Sequence, residues 1–264
     1  MVRSSADEIA GGRKNSRLLP VFHGKHVVIT GAGRGIGRGC SLGFAEAGAI
    51  VHLISRTRTD LEQLVRELTS CGHEAIAYVC DVTETRDVAH VFSQIPRCDV
   101  LVNNAGGNRP EPFVEVEAAT LDYYVDLNIK SVFQVNQAAV RLMLRQNGGV
   151  IVNMSSQMGH VGAKNRTVYC MTKHAVEGLT KAMAVELASH NIRVNSVCPT
   201  FVETPMSATF FEDAAFRQEV LEQIPLGRIG KIEEVVAAVL FLASAQASLI
   251  TGSGLLVDGG WTAK

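Results

Sequence analysis

The sequence predicts an α/β fold, a single doubly wound domain in which helices cover both faces of a seven-stranded parallel sheet. Apolar runs alternate with helical patterns, as is typical of parallel sheets. The chain has 264 residues, and its hydrophobic content of 47% suits strands that are buried on both faces. That length gives one such domain an ample core. The predicted strands cover residues 26–30, 50–54, 75–80, 98–102, 149–154, 192–198 and 254–257.

The first strand runs directly into a glycine-rich turn, which a helical pattern follows. The turn contains Gly31, Gly35 and Gly37, a Gly-x-x-x-Gly-x-Gly spacing that differs from the common Gly-x-Gly-x-x-Gly. Glycine lets the backbone approach a pyrophosphate, which then accepts hydrogen bonds from amides at the helix N-terminus. In this strand–turn–helix context we favour a nucleotide phosphate site over a plain tight turn.

The end of the second strand indicates which nucleotide is bound. Enzymes that use NAD place an acidic residue there, whereas a basic residue suits the extra phosphate of NADP. Here Ser55 and Arg56 follow the strand, and no carboxylate occurs before Asp60, inside the next helical pattern. Arg56 can bind a 2′-phosphate through two parallel hydrogen bonds, and Arg34 can approach from the glycine turn. Either arginine could also be a solvated surface residue. The sequence favours NADP(H) and leaves NAD(H) open.

Two later strands also end in polar segments. The fourth strand ends in Asn103, Asn104, Ala105 and Gly106, at the sheet edge where cofactors lie, although these residue types also suit a simple turn. The fifth strand ends in Ser155 and Ser156.

Thirteen residues after Ser156 comes Tyr169, and Lys173 follows on the same face of a predicted helix. A phenol has a pKa of about 10. A nearby ammonium favours the phenolate and brings proton transfer closer to working pH, while Ser156 can hydrogen-bond a substrate oxygen. In isolation the pair could be a packing tyrosine beside a solvated lysine.

Together these segments resemble the short-chain dehydrogenase/reductase family, from about Gly24 to Thr262, and a Rossmann-type domain over residues 20–264 is expected. Pro199-Thr200 stands where the family usually has Pro-Gly. The resemblance implies a catalytic set of Asn128, Ser156, Tyr169 and Lys173. It implies cofactor contacts from Gly31, Arg34, Gly35, Ile36, Gly37, Ser55, Arg56, Asp81, Val82, Asn104, Ala105, Gly106, Tyr169, Lys173, Pro199, Val202 and Thr204.

The implied reaction moves a hydride between a nicotinamide and the carbon of a carbonyl or secondary alcohol. Tyr169 would donate the proton, Lys173 would lower the pKa of Tyr169 and hold the nicotinamide ribose, and Asn128 would continue a proton relay through a water. An inactive nucleotide-binding module and an epimerase are alternatives. The intact catalytic set argues against the first, and the end of the chain soon after 257–260 argues against the second.

The substrate is indicated less directly. The family's variable lid corresponds to residues around 203–227, a predicted mobile helix pair that contributes Met206. Loops expected to face the reacting carbon carry a polar and cationic set, and arginine suits a carboxylate. The set is Asn108, Arg109, His160, Lys164, Asn165 and Arg166. We therefore expect a small polar substrate, such as a sugar acid, polyol or hydroxy acid, as in the gluconate 5-dehydrogenase-like branch. A 3-oxoacyl-thioester reductase is the alternative, and the cations could also be solvated loop charges.

Assembly and location follow from the resemblance and from composition. The family commonly forms tetramers through segments that correspond to 131–146, 167–189 and 249–257. These segments carry more apolar residues than one sheet face requires, unless all of them pack within the chain: Val132, Phe133, Val140, Leu142, Met143, Leu255, Leu256 and Val257. We therefore predict a homotetramer.

The 25 basic residues nearly balance the 26 acidic ones, which argues against nucleic-acid or anionic-membrane partners. No apolar stretch approaches the roughly 18–20 residues of a membrane helix. Residues 1–19 lack the apolar core of a secretory signal and predict a disordered extension. Six scattered cysteines without metal-ligand spacing suggest a cytoplasmic protein that holds no metal.

Overall fold

The structure is a computed structural model that describes residues 21–264, apart from the side chains of Met206, Thr209 and Phe210. The predicted extension over residues 1–19 lies outside the described residues. Within the described range, one sheet has the order β3-β2-β1-β4-β5-β6-β7, and all of its strand pairs are parallel. The strands are β1 (His26–Thr30), β2 (Ile50–Ser55), β3 (Ala75–Val79), β4 (Val100–Asn103), β5 (Gly149–Met154), β6 (Ile192–Pro199) and β7 (Gly254–Val257). The predicted parallel sheet is confirmed, with β4 beginning two residues later than expected.

Helices pack on both faces of the sheet, as the sequence predicts. They are α1 (Gly35–Glu46), α2 (Arg58–Ser70), α3 (Thr85–Gln94), α4 (Ala118–Val125), α5 (Ser131–Arg145), α6 (Thr167–Leu187), α7 (Pro205–Ala208), α8 (Ala214–Gln223) and α9 (Ile232–Ala243). Helices α1, α2 and α9 share one core cluster, and α3, α5 and α6 share the other. Val27 and Ile29 belong to the first cluster, whereas Val28 belongs to the second. Successive side chains of a strand thus enter opposite cores, which is why the strands are continuously apolar.

The strand order creates a crevice at the carboxyl edge of the sheet. Strand β1 pairs with β2 on one side and with β4 on the other, so the chain reverses direction across the sheet at this point. Connections from the two strands leave in opposite directions, and ligands of open α/β sheets bind in the gap between them. The short helices α7 and α8 follow β6, in the predicted lid segment. In the part of the chain that the structure describes, no helix combines the length and apolar character needed to cross a bilayer.

Candidate active site

A cavity of about 570 Å³ lies at this carboxyl edge, between the glycine turn and the segment after β5. Most residues predicted to contact the cofactor line it: Gly31, Arg34, Gly35, Ile36, Ser55, Arg56, Val82, Asn104, Ala105, Gly106, Tyr169, Lys173, Pro199, Val202 and Thr204. Ser156 lines it too, whereas Gly37, Asp81 and Asn128 are not among its lining residues. The structure therefore brings the nucleotide turn and the Ser–Tyr–Lys group to one cavity.

The glycine turn fits a pyrophosphate. Gly31 and Gly35 adopt φ values of +64° and +52°, which favour glycine. Gly37 faces the turn so closely that an added Cβ would lie 2.1 Å from the Gly31 carbonyl oxygen. Helix α1 has no side-chain N-cap hydrogen bond and no acidic residue in its first turn. Its first amides are therefore available to an anion, as nucleotide binding requires.

A buried hydrogen-bond network fixes the loop after β4 against this turn. The Thr30 hydroxyl oxygen accepts from the backbone amides of Asn104 at 2.9 Å and Ala105 at 3.0 Å. The same hydroxyl donates to Asn103 Oδ1 at 3.3 Å, and Asn104 Nδ2 donates to the Thr30 carbonyl at 3.0 Å. The nucleotide end of the cavity thus holds its shape through its own polar groups.

Two arginines reach the nucleotide end, each beside a carboxylate. Arg56 Nη1 lies 3.7 Å from Asp81 Oδ2, and the Arg56 side chain is 57% exposed. Arg34 Nε lies 2.5 Å from Asp60 Oδ2. Asp60 also lines the cavity, because α2 begins only two residues before it. The sequence analysis set Asp60 aside because it lies within the next helical pattern. Its position in the cavity lining was therefore not predicted.

The proton-transfer group occupies the other end. Lys173 Nζ donates to the Met154 carbonyl at 2.8 Å and lies 5.5 Å from the centre of the Tyr169 ring. Burial lowers the pKa of Lys173 to about 8, although Cys198 and Glu177 act in the opposite direction. Burial also raises the pKa of Tyr169 to about 12, against a lowering contribution from its hydrogen bond with Ser156. The net pKa of Tyr169 is therefore raised and not lowered as expected, because burial outweighs the hydrogen bond with Ser156.

Asn128 lies fully buried in a π-helical turn, Asp126–Lys130, between α4 and α5. Its Oδ1 accepts from the Gly107 amide at 3.0 Å, and its Nδ2 donates to the Gly107 carbonyl at 2.9 Å and to Thr172 Oγ1 at 3.2 Å. The side chain thus joins the loop after β4 to helix α6, which carries Tyr169 and Lys173.

The three predicted cations, Arg109, His160 and Arg166, do not line this cavity, so their contact with a substrate stays a prediction. Arg109 is 62% exposed and pairs with Glu111 at 3.0 Å. Arg166 is buried, 5.9 Å from the centre of the Phe216 ring. His160 Nε2 lies 3.3 Å from Cys198 Sγ, and neither residue lines the cavity. The Met206 side chain lies outside the described residues.

Three further polar side chains line the cavity. They are Asn108, Gln157 and Thr200. Asn108 belongs to the polar loop set that the sequence placed near the reacting carbon, and Gln157 was not predicted. Asn108 Oδ1, both polar atoms of Gln157 and Thr200 Oγ1 are buried without a hydrogen-bond partner among the described residues. Such atoms are rare in folded proteins and often mark functional positions. Gln157 directly follows Ser156, so its place in the chain was a usable signal.

The fold and this cavity define a dinucleotide-dependent oxidoreductase. The family model described as "Enoyl-(Acyl carrier protein) reductase" matches residues 31–262. L-xylulose reductase of Bos taurus is 43% identical over 241 residues, which is 91% of this chain and 97% of that protein. The 3-oxoacyl-[acyl-carrier-protein] reductase of Thermotoga maritima is 42% identical over 243 residues, 90% of this chain and 98% of that protein.

A solved structure agrees in fold. The gluconate 5-dehydrogenase of Burkholderia cenocepacia J2315, in complex with NADP and tartrate, superposes with a TM-score of 0.89 and 34% identity, covering 92% of this chain and 97% of that one. The chain belongs to the short-chain dehydrogenase/reductase family, and it is an NAD(P)-dependent oxidoreductase that acts on CH–OH groups.

Proposed function

We propose that the protein interconverts a small polyhydroxylated ketone and its secondary alcohol, with Tyr169 as the general acid or base. The observation that carries this proposal is the set of unpartnered buried polar atoms on Asn108 and Gln157 beside Ser156. A site with polar groups of this kind rejects an apolar ligand, because the groups would stay unpaired. The Gln157 amide offers a donor and an acceptor, which suits adjacent hydroxyl groups. The xylulose and gluconate enzymes among the relatives support a substrate of this class.

The residues act on one oxygen atom. When bound, the nicotinamide cofactor supplies or takes the hydride. The Tyr169 hydroxyl gives its proton to the carbonyl oxygen as the alcohol forms, and the Ser156 hydroxyl holds the same oxygen by a hydrogen bond. Because the pKa of Tyr169 is about 12, the phenol carries its proton at neutral pH and suits the direction of reduction. Lys173 holds the ribose and faces Tyr169, while Asn128 keeps α6 aligned with the loop after β4.

A substrate comparison tests the proposal. NADPH oxidation is measured with L-xylulose and other ketoses, keto-gluconates, acetoacetyl thioesters and simple hydrophobic ketones. We expect kcat/KM for at least one hydroxylated ketone to exceed that for the thioester by tenfold or more.

The 3-oxoacyl-thioester reductase is the second candidate, because Met158 and Phe201 give the cavity an apolar wall. Faster turnover of the thioester, unaffected by changing Gln157, would establish that alternative.

We further propose NADP(H) as the preferred cofactor. Arg56 lies at the end of β2, largely exposed, and its ion pair with Asp81 is long enough to leave the guanidinium open to a phosphate. The NADP-bound relative supports this choice. Arg56→Ala should reduce kcat/KM for NADPH about tenfold or more and leave that for NADH within about twofold. Arg58→Ala, on an exposed neighbour outside the cavity, is the matched control. A wild-type preference for NADH would overturn the assignment.

We also propose a homotetramer. Val132, Leu142 and Met143 pack inside the chain and are not available to a partner. Phe133 on α5 and Leu256 on β7 remain 52% and 40% exposed, on the segments predicted to form subunit interfaces. Burying such side chains between subunits is favourable. Light scattering should give four times the chain mass, and Phe133→Lys should reduce it. A monomer at micromolar concentration would contradict the proposal.

The cytoplasm is the proposed location. All six cysteines lie in the described part of the chain and are free thiols, four of them buried. Free thiols persist in reducing compartments, whereas oxidising ones favour disulfides. Fractionation of cells that produce the protein tests this placement.

A further inference from the structure

Three side chains of metal-ligand type converge behind the catalytic lysine, outside the nucleotide cavity. His160 follows β5, Glu177 lies on α6 and Cys198 lies on β6. Within residues 21–264, this is the one group of three or more His, Cys, Asp or Glu side chains close enough to hold a metal ion, and its ligand atoms lie within 4.8 Å of one another. The sequence showed no metal-ligand spacing because the three residues are far apart in the chain and belong to different elements.

The distances within this group match those around a zinc ion. His160 Nε2 lies 3.3 Å from Cys198 Sγ and 3.5 Å from Glu177 Oε2, and Cys198 Sγ lies 3.5 Å from Glu177 Oε1. Zinc bonds of about 2.0–2.3 Å in a tetrahedron place the ligand atoms about 3.3–3.6 Å apart. Because a different Glu177 oxygen faces each partner, a single ion contacts all three side chains when the carboxylate binds through both oxygens or rotates about its last bond.

The surroundings hold two of the ligands in place. A Cβ added at Gly254 would lie 2.6 Å from Glu177 Oε2 and 3.1 Å from His160 Nε2, so only a glycine allows the backbone of β7 to pack against both ligand atoms. The Ser196 hydroxyl donates to Glu177 Oε1 at 2.7 Å, and a supporting hydrogen bond of this kind is usual for a ligating carboxylate. The His160 imidazole is exposed to solvent. An ion can therefore reach the group from solvent, and a water molecule can occupy its fourth coordination position.

We propose that His160, Glu177 and Cys198 bind one Zn²⁺ per chain. A set of thiolate, imidazole and carboxylate ligands suits zinc, whereas Mg²⁺ and Ca²⁺ prefer oxygen ligands alone. The Cys198 thiol releases its proton to solvent as the S–Zn bond forms, and no electron transfer is involved. Because Glu177 lies one turn beyond Lys173 and Cys198 precedes Pro199, the ion joins three elements of the active site. Binding therefore stabilises the fold as well as the site.

Cobalt replaces zinc in such sites and makes the thiolate ligand visible. The full chain, freed of any purification tag, is titrated with Co²⁺ while thiolate-to-cobalt absorption in the near ultraviolet is recorded, and Zn²⁺ is then added as competitor. We expect one Co²⁺ per chain, displacement by Zn²⁺ and a higher midpoint of thermal unfolding with Zn²⁺. His160→Ala should weaken Zn²⁺ binding at least about tenfold, and Cys198→Ser should abolish the absorption.

Cys71→Ser and His190→Ala, at exposed positions outside the group, are the matched controls and should bind as the wild type does. His160 is exposed, so His160→Ala decides the question even where the buried Cys198→Ser unfolds. Absence of the absorption in the wild type, or equal Zn²⁺ affinity in His160→Ala, would show that the three side chains only hydrogen-bond one another. These readouts do not use substrate, so they stand apart from the proposed activity.

Discussion

The two ends of the active-site cavity differ in how their polar groups are satisfied. At the nucleotide end, Thr30, Asn103 and Asn104 bond one another, so the loops keep their shape without a ligand. At the substrate end, Asn108 Oδ1 and both polar side-chain atoms of Gln157 are buried without hydrogen-bond partners among the described residues. We expect the first end to bind its ligand mainly through backbone amides and glycines, whereas the second presents side chains that need a ligand to complete their hydrogen bonds.

Because of this difference, we expect the nucleotide end to contribute to the stability of the fold and the substrate end to determine substrate specificity. An internally satisfied network contributes to folding and preorganises the cofactor site. Unpartnered amides contribute nothing to folding, because burial costs them their hydrogen bonds to water, and they recover that cost only when a polar ligand binds. Mutations at the nucleotide end should therefore lower the free energy of unfolding. Mutations at the substrate end should instead raise KM and leave the free energy of unfolding equal or higher.

The largest expected effect lies at Tyr169, where the two ends meet. Tyr169→Phe removes the proton donor but keeps the ring, so kcat should fall about 10²–10⁴-fold, the usual value of a positioned general acid. Cofactor affinity, measured by fluorescence titration of NADPH, should change less than about threefold. Tyr123→Phe, on an exposed tyrosine of α4, is the control. A kcat within tenfold of wild type would remove Tyr169 from the proposed chemistry.

A buried histidine beneath the nucleotide end of the sheet should make the protein less stable at acidic pH. His52 on β2 is fully buried, hydrogen-bonded with His26 at 2.9 Å and with the Tyr78 hydroxyl at 3.2 Å. Burial, with a contribution from His26, lowers the pKa of His52 from 6.5 to about 4. Between these values the unfolded chain binds a proton that the native state does not, so stability is lost as pH falls from about 6.5 to about 4.

The loss is on the order of 3 kcal/mol, since one unit of pKa shift corresponds to about 1.4 kcal/mol. Urea unfolding of the wild type and of His52→Gln at several pH values tests this expectation. The variant should start less stable but show a shallower decline over the same interval. Equal slopes in the two proteins would mean that His52 does not cause the loss of stability at acidic pH.

A smaller effect is expected from Thr30→Val, which keeps the shape of the side chain but removes the hydroxyl at the centre of the nucleotide-end network. The amides of Asn104 and Ala105 lose their acceptor, which should lower the free energy of unfolding by about 1–3 kcal/mol. The affinity for NADPH should fall as well, because the loop after β4 loses its support. Thr69→Val, on the exposed side of α2, should change neither quantity. Unchanged unfolding would contradict the structural role assigned to the network.

The smallest effect, and the one that sharpens the comparison most, is expected from Gln157→Leu. The free energy of unfolding should stay equal or rise, because a buried unpaired amide is removed. The KM for a hydroxylated ketone should rise about tenfold, the usual loss for one or two hydrogen bonds to a substrate. Arg109→Ala, outside the cavity, should alter KM less than twofold. A destabilised Gln157→Leu with unchanged KM would show that Gln157 serves the fold and not the substrate.

The site was predictable where function depends on local sequence. The Gly31–Gly35–Gly37 turn and the Tyr169–Lys173 pair were found because each lies within a single turn or helix, where spacing fixes geometry. The structure does not bring Arg109, His160 and Arg166 to the cavity, and loop sequence does not indicate where a long side chain finds its partner. Asp60 was missed because its role depends on the residue at which α2 begins.

The sequence by itself determined the order and type of the strands, the glycine turn and the tyrosine proposed as the proton donor. These features follow from apolar periodicity, glycine stereochemistry and helical repeat, which act over a few residues. Only the tertiary structure decided that burial raises the pKa of Tyr169 and lowers that of Lys173, that Gln157 faces the cavity, and that His160 meets Glu177 and Cys198. Each of these features depends on how segments distant in the chain pack together and exclude water. A pattern of a few neighbouring residues does not predict such packing.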